Sequence, residues 1–181
     1  MADPLAILDA ILSEHGNDAK WNDTRFGGIK ILANTLVGKV GQQFTEQLCT
    51  TLKISWAPPT NAQGRRVNQS PWDLKISNID FEIKTATADV SGNFQFNHIR
   101  YHRPYDALLC IGISPDDVMF DMWTKAEVAT GKAGNLVSME RGANASYKLT
   151  KRPAELHSMN RFQSELLDIA ANIEAQRRRR N

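Results

Sequence analysis

The stretch "SPWDLKISNIDFEIKTAT" (70–87) carries two carboxylates and a lysine, Asp73, Glu82 and Lys84, on two short runs of alternating apolar and polar residues. Two carboxylates are hard oxygen ligands of the kind that hold Mg²⁺ together with water and phosphate oxygens. A lysine beside them supplies a cation for an attacking water or a phosphate. Such a set suits metal-assisted hydrolysis of a phosphodiester, in which the metal acidifies water and neutralises developing charge. The same residues on a solvated strand face would do nothing, so their relative positions decide between the two readings.

Side chains alternate faces along a strand. A two-residue turn at Ser77-Asn78 sets Ile76 opposite Ile79, Leu74 opposite Phe81 and Trp72 opposite Ile83. In that register the apolar side chains meet one another, which is the test of a sensible pairing. The same register sets Asp73 directly opposite Glu82 on the polar, non-core face, with Cβ atoms about 5 Å apart. Facing carboxylates repel, and a cation between them reverses the sign. Lys84 lies two residues beyond Glu82 and therefore shares its face.

The surrounding elements must hold this hairpin. Asp3 and Pro4 read as the N-cap and first position of a helix over "PLAILDAILSEH", with Leu5, Leu8, Ile11 and Leu12 at helical spacing and Gly16 as its stop. "TRFGGIKILANTLVGKVGQQFTEQLCTTL" reads as one or two helices, with Val40, Phe44, Leu48 and Leu52 in a stripe and Glu46 off it. "WAPPTNAQGRRVNQSP" is a loop. After the hairpin, "NFQFNHIRYHR" is expected to be a short helix ended by Pro104. "YDALLCIGIS" has the continuous apolar character of a strand buried on both faces, and "DDVMFDMW" is the next strand. Strand, helix and strand in that order predict a right-handed crossover in a partly parallel sheet. "TGKAGNLVSMERGANASY" is a loop with one strand at its end, and "RFQSELLDIAANIEAQRR" is a closing helix with Phe162, Leu166, Ile169 and Ile173 on one face. The expected class is α/β, a mixed central sheet flanked by helices.

"PWDLKISNIDFEIKTAT" resembles the signature of the PD-(D/E)xK nuclease superfamily, with Pro71, Asp73, Glu82, Ile83 and Lys84 matching. "FQFNHIRYHRPYDALLCIGISPDDVMFDMW" is similar to the helix and two strands that come after that signature in type II restriction endonucleases. The likeness covers roughly 36–123, and it departs from the pattern where Trp72 separates the proline from the aspartate. It implies an αβββαβ core, Mg²⁺-dependent cleavage of double-stranded DNA and a homodimer acting on both strands. On this resemblance Asp73 and Glu82 are the metal ligands and Lys84 the catalytic cation. Glu46 is the candidate for a further acid on the preceding helix, with Gln42, one turn earlier, where an acid is equally to be expected. Gln95 is a candidate for positioning the active-site helix.

Other chemistries are less well supplied. His98 and His102, four apart on the expected helix, share a face, but no carboxylate or cysteine completes a zinc set, so contact with phosphate or a structural hydrogen bond suits His98 better. His157 is expected to cap or pack the last helix. Cys49 and Cys110 sit in apolar surroundings and read as buried free thiols, which fits a reducing cytoplasm. No nucleophile–base arrangement and no Gly-rich phosphate loop is present, so a nucleotide cofactor is not expected. Loop residues that suit base edges are Gln63, Arg65, Arg66 and Asn68 in the first loop, and Lys132, Asn135, Arg141 and Asn144 in the second. "RRRR" at 177–180 adds non-specific attraction to phosphate.

The chain of 181 residues, 41% hydrophobic and 23% charged with net charge +2, has enough apolar content for a core without disulfides or a structural metal. One nuclease domain over 1–181 is expected, with its catalytic core at about 36–123 and the closing helix and basic tail at 160–181. Acids stand where a signal peptide would be cationic, and no apolar run is long enough for a membrane span. Together these point to a cytoplasmic, sequence-specific, Mg²⁺-dependent endonuclease of restriction type. A structure-specific or repair nuclease of the same fold is the alternative, and a DNA-binding protein that keeps only the fold is the rival from another class.

Overall fold

A computed structural model describes residues 3–14, 21, 23–67 and 70–178. Helix α1 (Pro4–Ser13) begins as its sequence predicts: Asp3 Oδ1 accepts a hydrogen bond from the Leu5 N–H at 3.0 Å, and Pro4 takes the first turn. Leu8, Ile11 and Leu12 are its buried face, and Gly16 lies outside the described residues. A 3-10 turn at Gly27–Ile31 leads into α2 (Asn34–Thr51). Of the expected stripe, Val40, Phe44 and Leu48 are buried with Cys49 beside them, and Leu52 is half-buried just past the helix end.

Among the described residues nine strands come next: β1 (Trp56–Ala57), β2 (Leu74–Ile76), β3 (Ile79–Thr87), β4 (Phe94–Ile99), β5 (Ala107–Ile113), β6 (Val118–Thr124), β7 (Leu136–Ser138), β8 (Tyr147–Lys151) and β9 (His157–Ser158). Helix α3 (Lys125–Ala129) comes after β6, and α4 (Phe162–Arg178) closes the described chain. The central sheet has the order β1-β2-β3-β5-β6-β9, and β4-β8-β7 form a second sheet. Strand β3 is parallel to β5, whereas β2–β3 and β5–β6 are antiparallel. The fold is a mixed α/β architecture, as expected.

The crossover between the parallel strands is not a helix. "NFQFNHIR" alternates with period two, burying Phe94 and Phe96 and exposing Gln95 and Asn97, and it pairs with β8. His98 breaks the pattern with φ of 58° at a register shift between Phe96 and Ile99. The αβββαβ order expected from the resemblance therefore fails at its second helix. The second predicted loop likewise resolves into β7, a turn and the start of β8, and the periodicity does not predict α3.

Apolar side chains collect on both faces of the central sheet. One cluster joins α1, α2 and α4 to Leu74, Ile76, Phe81, Leu109 and Phe120. The other joins the small sheet and α3 to Ala86, Leu108, Cys110 and Trp123. Phe94 reaches the sheet because Gly112 has no side chain; a Cβ there would lie 2.9 Å from the phenyl ring. All seven residues of β5 are buried, which accounts for its unbroken apolar run. The closing helix buries Phe162, Leu166, Ile169 and Ile173, as its periodicity predicts.

Gly41 fixes the distance between α2 and the sheet. A Cβ at this position would stand 1.8 Å from Thr85 Oγ1 and 2.8 Å from Thr85 Cβ, so no rotation of Thr85 makes room. Alanine in a helix interior normally gains about 1 kcal/mol over glycine, but overpacking costs about 1–3 kcal/mol or more where backbone must shift. Contact wins over propensity here. Gly41→Ala should lower stability by about 2 kcal/mol in urea unfolding, and Thr85→Ala should recover part of that loss in the double variant. A stabilised Gly41→Ala would show that α2 does not bear on β3 at this point.

Candidate active site

The hairpin register holds for three pairs and then stops. Ile76 faces Ile79, Lys75 faces Asp80 and Leu74 faces Phe81. The turn is at Ser77-Asn78, with φ of 47° and 65°, the two left-handed residues that a type I′ turn requires. The expected opposition of Asp73 and Glu82 does not form. The Asp73 N–H donates to the Phe81 carbonyl at 2.8 Å, out of step with the ladder, and Asp73 Oδ2 accepts from the Ile83 N–H at 2.7 Å. The side chain thus takes a place a strand backbone would otherwise fill. Trp72, expected opposite Ile83, packs instead with the second cluster, whereas Ile83 lies in the first.

This slip opens the site. Strand β3 spans nine residues but β2 pairs with only three of them. From Glu82 onward β3 has β5 on one side and, among the described residues, no strand on the other. A cleft of about 780 Å³ lies along that uncovered edge. Asp73, Lys84 and Trp72 line one side, and Lys39, Gln42 and Glu46 of α2 line the other. Gln42 Nε2 donates to the Asp73 carbonyl at 3.1 Å, which ties the helix to the residue that ends the ladder. Gln42 is thus an anchor and not a replacement for an acid.

Glu82 is 4% exposed and is not on a wet face. Its side chain and Lys84 point the same way, with Oε1 2.6 Å from Nζ. Burial pushes the Glu82 carboxyl up from its usual range, Lys84 opposes that rise, and the nearby charge of Asp73 adds to it. Arg103, from the segment between β4 and β5, also favours the charged form. Arg103 is absent from the candidates drawn from sequence; its one signal is position, since it precedes the strand whose Leu108 lies beside Glu82. Tyr105 is buried next to the same carboxylate, and its hydroxyl has no hydrogen-bond partner among the described residues.

The donor set suits a hard cation. Asp73, Glu82 and Glu46 offer only oxygen, and Asp73 and Glu82 already interact unfavourably with each other. Among the described residues, no group of three or more His, Cys, Asp or Glu side chains is gathered closely enough to hold a metal by itself. A cation at two carboxylates would complete its shell with water and phosphate, the usual arrangement for Mg²⁺. Thiol chemistry is poorly served: burial pushes Cys49 up to about 12 and Cys110 well above its ordinary value.

The remaining candidates are spread out. Residues 58–67 make a small hairpin, with Thr60 bridged to Arg66 and Asn61 Oδ1 accepting from the Gln63 and Arg65 N–H groups at 3.0 Å. Gln63 and Arg65 are exposed at its tip, and Arg66 turns inward to Glu46. Asn68 lies outside the described residues, as do Arg179 and Arg180. Gln95 does not support an active-site helix: it sits on β4 and donates to Asp89 Oδ2 at 3.0 Å. His98 does not share a helical face with His102, since neither is in a helix; its Nδ1 lies 3.3 Å from Ser146 Oγ. Lys132 pairs with Glu127, and Asn135, Arg141 and Asn144 are exposed beside the small sheet, none of them lining the cleft. His157 lies on β9 with its ring 5.9 Å from that of Phe120 on β6, and its Nε2 is 3.7 Å from Glu165 Oε1 of the closing helix.

No family model matches this chain, and no curated protein matches it. A solved structure, that of the bacterial homing endonuclease I-Ssp6803I, aligns with a TM-score of 0.42 at 11% identity, over 66% of this chain and 78% of that one. At that score it decides neither family nor activity.

The coupling of the two acids is open to measurement. A carboxyl whose folded value is raised binds a proton more tightly when folded, so its contribution makes stability fall as pH rises through the window between the unfolded and folded values. Carbon-detected NMR should find Glu82 titrating above free glutamate. Asp73→Asn should lower its midpoint and Lys84→Gln should raise it. An unchanged midpoint in both variants would separate Glu82 from its neighbours.

Proposed function

We propose that the protein is a Mg²⁺-dependent endonuclease of the PD-(D/E)xK kind that cleaves double-stranded DNA at specific sequences, as type II restriction enzymes do. The observation that carries this reading is the pair Glu82–Lys84, 2.6 Å apart and nearly buried, beside Asp73 at the uncovered edge of β3. Keeping a carboxylate out of water is costly, and a structural role is filled as well by apolar residues of the same volume. The arrangement makes sense where the pair is used.

Asp73 and Glu82 would hold the cation, whose bound form would supply a water of lowered pKa and charge neutralisation at the scissile phosphate. Lys84 reaches the cleft from a position fixed by Glu82, so its ammonium can orient the attacking water or meet the developing charge. Asp73 Oδ2 is already held by the Ile83 amide, which sets the carboxylate plane before any ligand arrives. Lys39 and Arg66 on the cleft wall and Arg65 on the adjoining hairpin suit contact with DNA phosphates, and Gln63 suits a base edge. A homodimer would match a palindromic site.

Incubation of plasmid and phage DNA with the protein tests the proposal. Discrete fragments with Mg²⁺ and none with a chelator are expected; cutting confined to branched DNA would favour a repair nuclease instead. Asp73→Ala and Lys84→Ala should each lower the cleavage rate by at least about 10²-fold while duplex binding in a mobility-shift assay persists. Binding without Mg²⁺-dependent cleavage under any condition would leave a DNA-binding protein.

A further inference from the structure

The Tyr105 hydroxyl is a buried donor without a partner. The residue is 4% exposed and belongs to the second apolar cluster, with Leu108, Cys110 and Trp123. Phe81 and Ile83 of β3 lie in the first cluster and Ala86 in the second, so strand alternation points Glu82 and Lys84 toward the second as well. Glu82 stands beside Leu108 in the parallel ladder, three residues beyond Tyr105. Among the described residues nothing bonds the Tyr105 hydroxyl. Burial tightens its hold on its proton, and the nearby charge of Glu82 tightens it further, so it remains a donor. A buried hydroxyl left unbonded is unfavourable, and phenylalanine would fill the same space without that penalty.

Lys84 carries two duties in the proposed reaction. Its Nζ, 2.6 Å from Glu82 Oε1, compensates that carboxylate, and the same ammonium is the cation meant for a water or a phosphate. A buried carboxylate stripped of its partner is strongly unfavourable, so a lysine that turns to substrate needs a replacement. A phenol fits the need. Its O–H donates to a carboxylate, it adds no charge that would cancel that of Glu82, and its proton swings about the C–O bond while the ring stays packed. We infer that Tyr105 is a positioning residue, a reserve donor whose hydroxyl bonds the Glu82 carboxylate when Lys84 leaves it for substrate. This rests on the nuclease reading and adds to it the means by which Glu82 stays oriented through the reaction. Arg103, half-buried and favouring the charged form of Glu82, is the competing donor. Lys125 braces the segment that carries both: its Nζ donates to the Arg103 carbonyl at 2.6 Å and stands 5.6 Å from the centre of the Tyr105 ring.

Urea unfolding of the full chain at neutral pH tests this separately from cleavage. In the unaltered protein, Tyr105→Phe should leave the unfolding equilibrium constant unchanged or lower it, because the hydroxyl bonds nothing there. In a Lys84→Met background, where Glu82 has lost its ammonium, the same change should raise that constant roughly fivefold; Lys84→Gln serves if Lys84→Met does not fold. Arg103→Gln should show no such dependence on Lys84. In cleavage assays with Mg²⁺, Tyr105→Phe should lower kcat about tenfold at unchanged KM for duplex DNA. A loss of stability from Tyr105→Phe alone would make the hydroxyl an ordinary structural bond and overturn the reserve role. So would equal effects of Tyr105→Phe with and without Lys84, or a dependence on Lys84 shown by Arg103→Gln instead. An unaltered kcat in Tyr105→Phe would overturn it too, while leaving the nuclease reading in place. No Mg²⁺-dependent cleavage by the unaltered protein would remove both.

Discussion

The parallel pairing of β3 with β5 is the constraint on which the rest of the structure depends. Seven residue pairs join the two strands, from Phe81–Ala107 to Thr87–Ile113, and β6 continues the sheet beyond. A strand so placed is covered on both faces, by α2 on one and by the small sheet on the other. Its polar residues cannot simply face water. Glu82 and Lys84 point toward the second cluster and must satisfy each other, which they do at 2.6 Å. The one direction left open to them is the edge that β2 abandons, and that is where the cleft lies.

The sequence is legible where apolar periodicity speaks directly. Helices α1, α2 and α4, the turn at Ser77-Asn78, the unbroken core strand β5 and the register from Ile76 to Leu74 all arise from spacing and turn chemistry. It misleads where two patterns compete. In "NFQFNHIRYHR" the alternation of Phe94 and Phe96 with polar residues is a strand signal, set against the expectation of a crossover helix. Nothing local shows that the partner of β4 is β8, some fifty residues later. The register also fails at its far end for a non-local reason. Extending the ladder from Leu74 to Trp72 assumes that pairing continues as long as apolar residues alternate, but Asp73 bonds to the Ile83 amide with its side chain and Trp72 turns to the other cluster.

That failure makes the candidate site only partly legible. The expectation that Asp73, Glu82 and Lys84 converge rests on a direct opposition of the two acids. The structure brings them together by a different device, a side chain that ends the ladder at the point where the strand edge becomes exposed. The electrostatic conclusion survives the change of geometry, since Asp73 still raises the proton affinity of Glu82. The placement of Glu46 across the cleft depends on helix packing, which no single-segment pattern reveals: it requires Gly41 to let α2 approach Thr85 and Gln42 to hold the Asp73 carbonyl.

Gly41, Gln42 and Glu46 together explain how one helix both packs on the sheet and lines the cleft. Positions 42 and 46 are four apart and so share a face, and Gly41 sets how near that face comes to the sheet. A larger residue at 41 would push the whole face outward, taking the Gln42 anchor and the Glu46 carboxylate with it. The distance between Glu46 and the hairpin acids is thus set by a residue that carries no functional group. Charge then balances across the gap: Glu46 is met by Arg66 from one loop, Glu82 by Lys84 from its own strand, and Asp73 by a backbone amide. Each of these three acids has a donor before any ligand binds. Any ligand that drew on these carboxylates would have to compete with those donors.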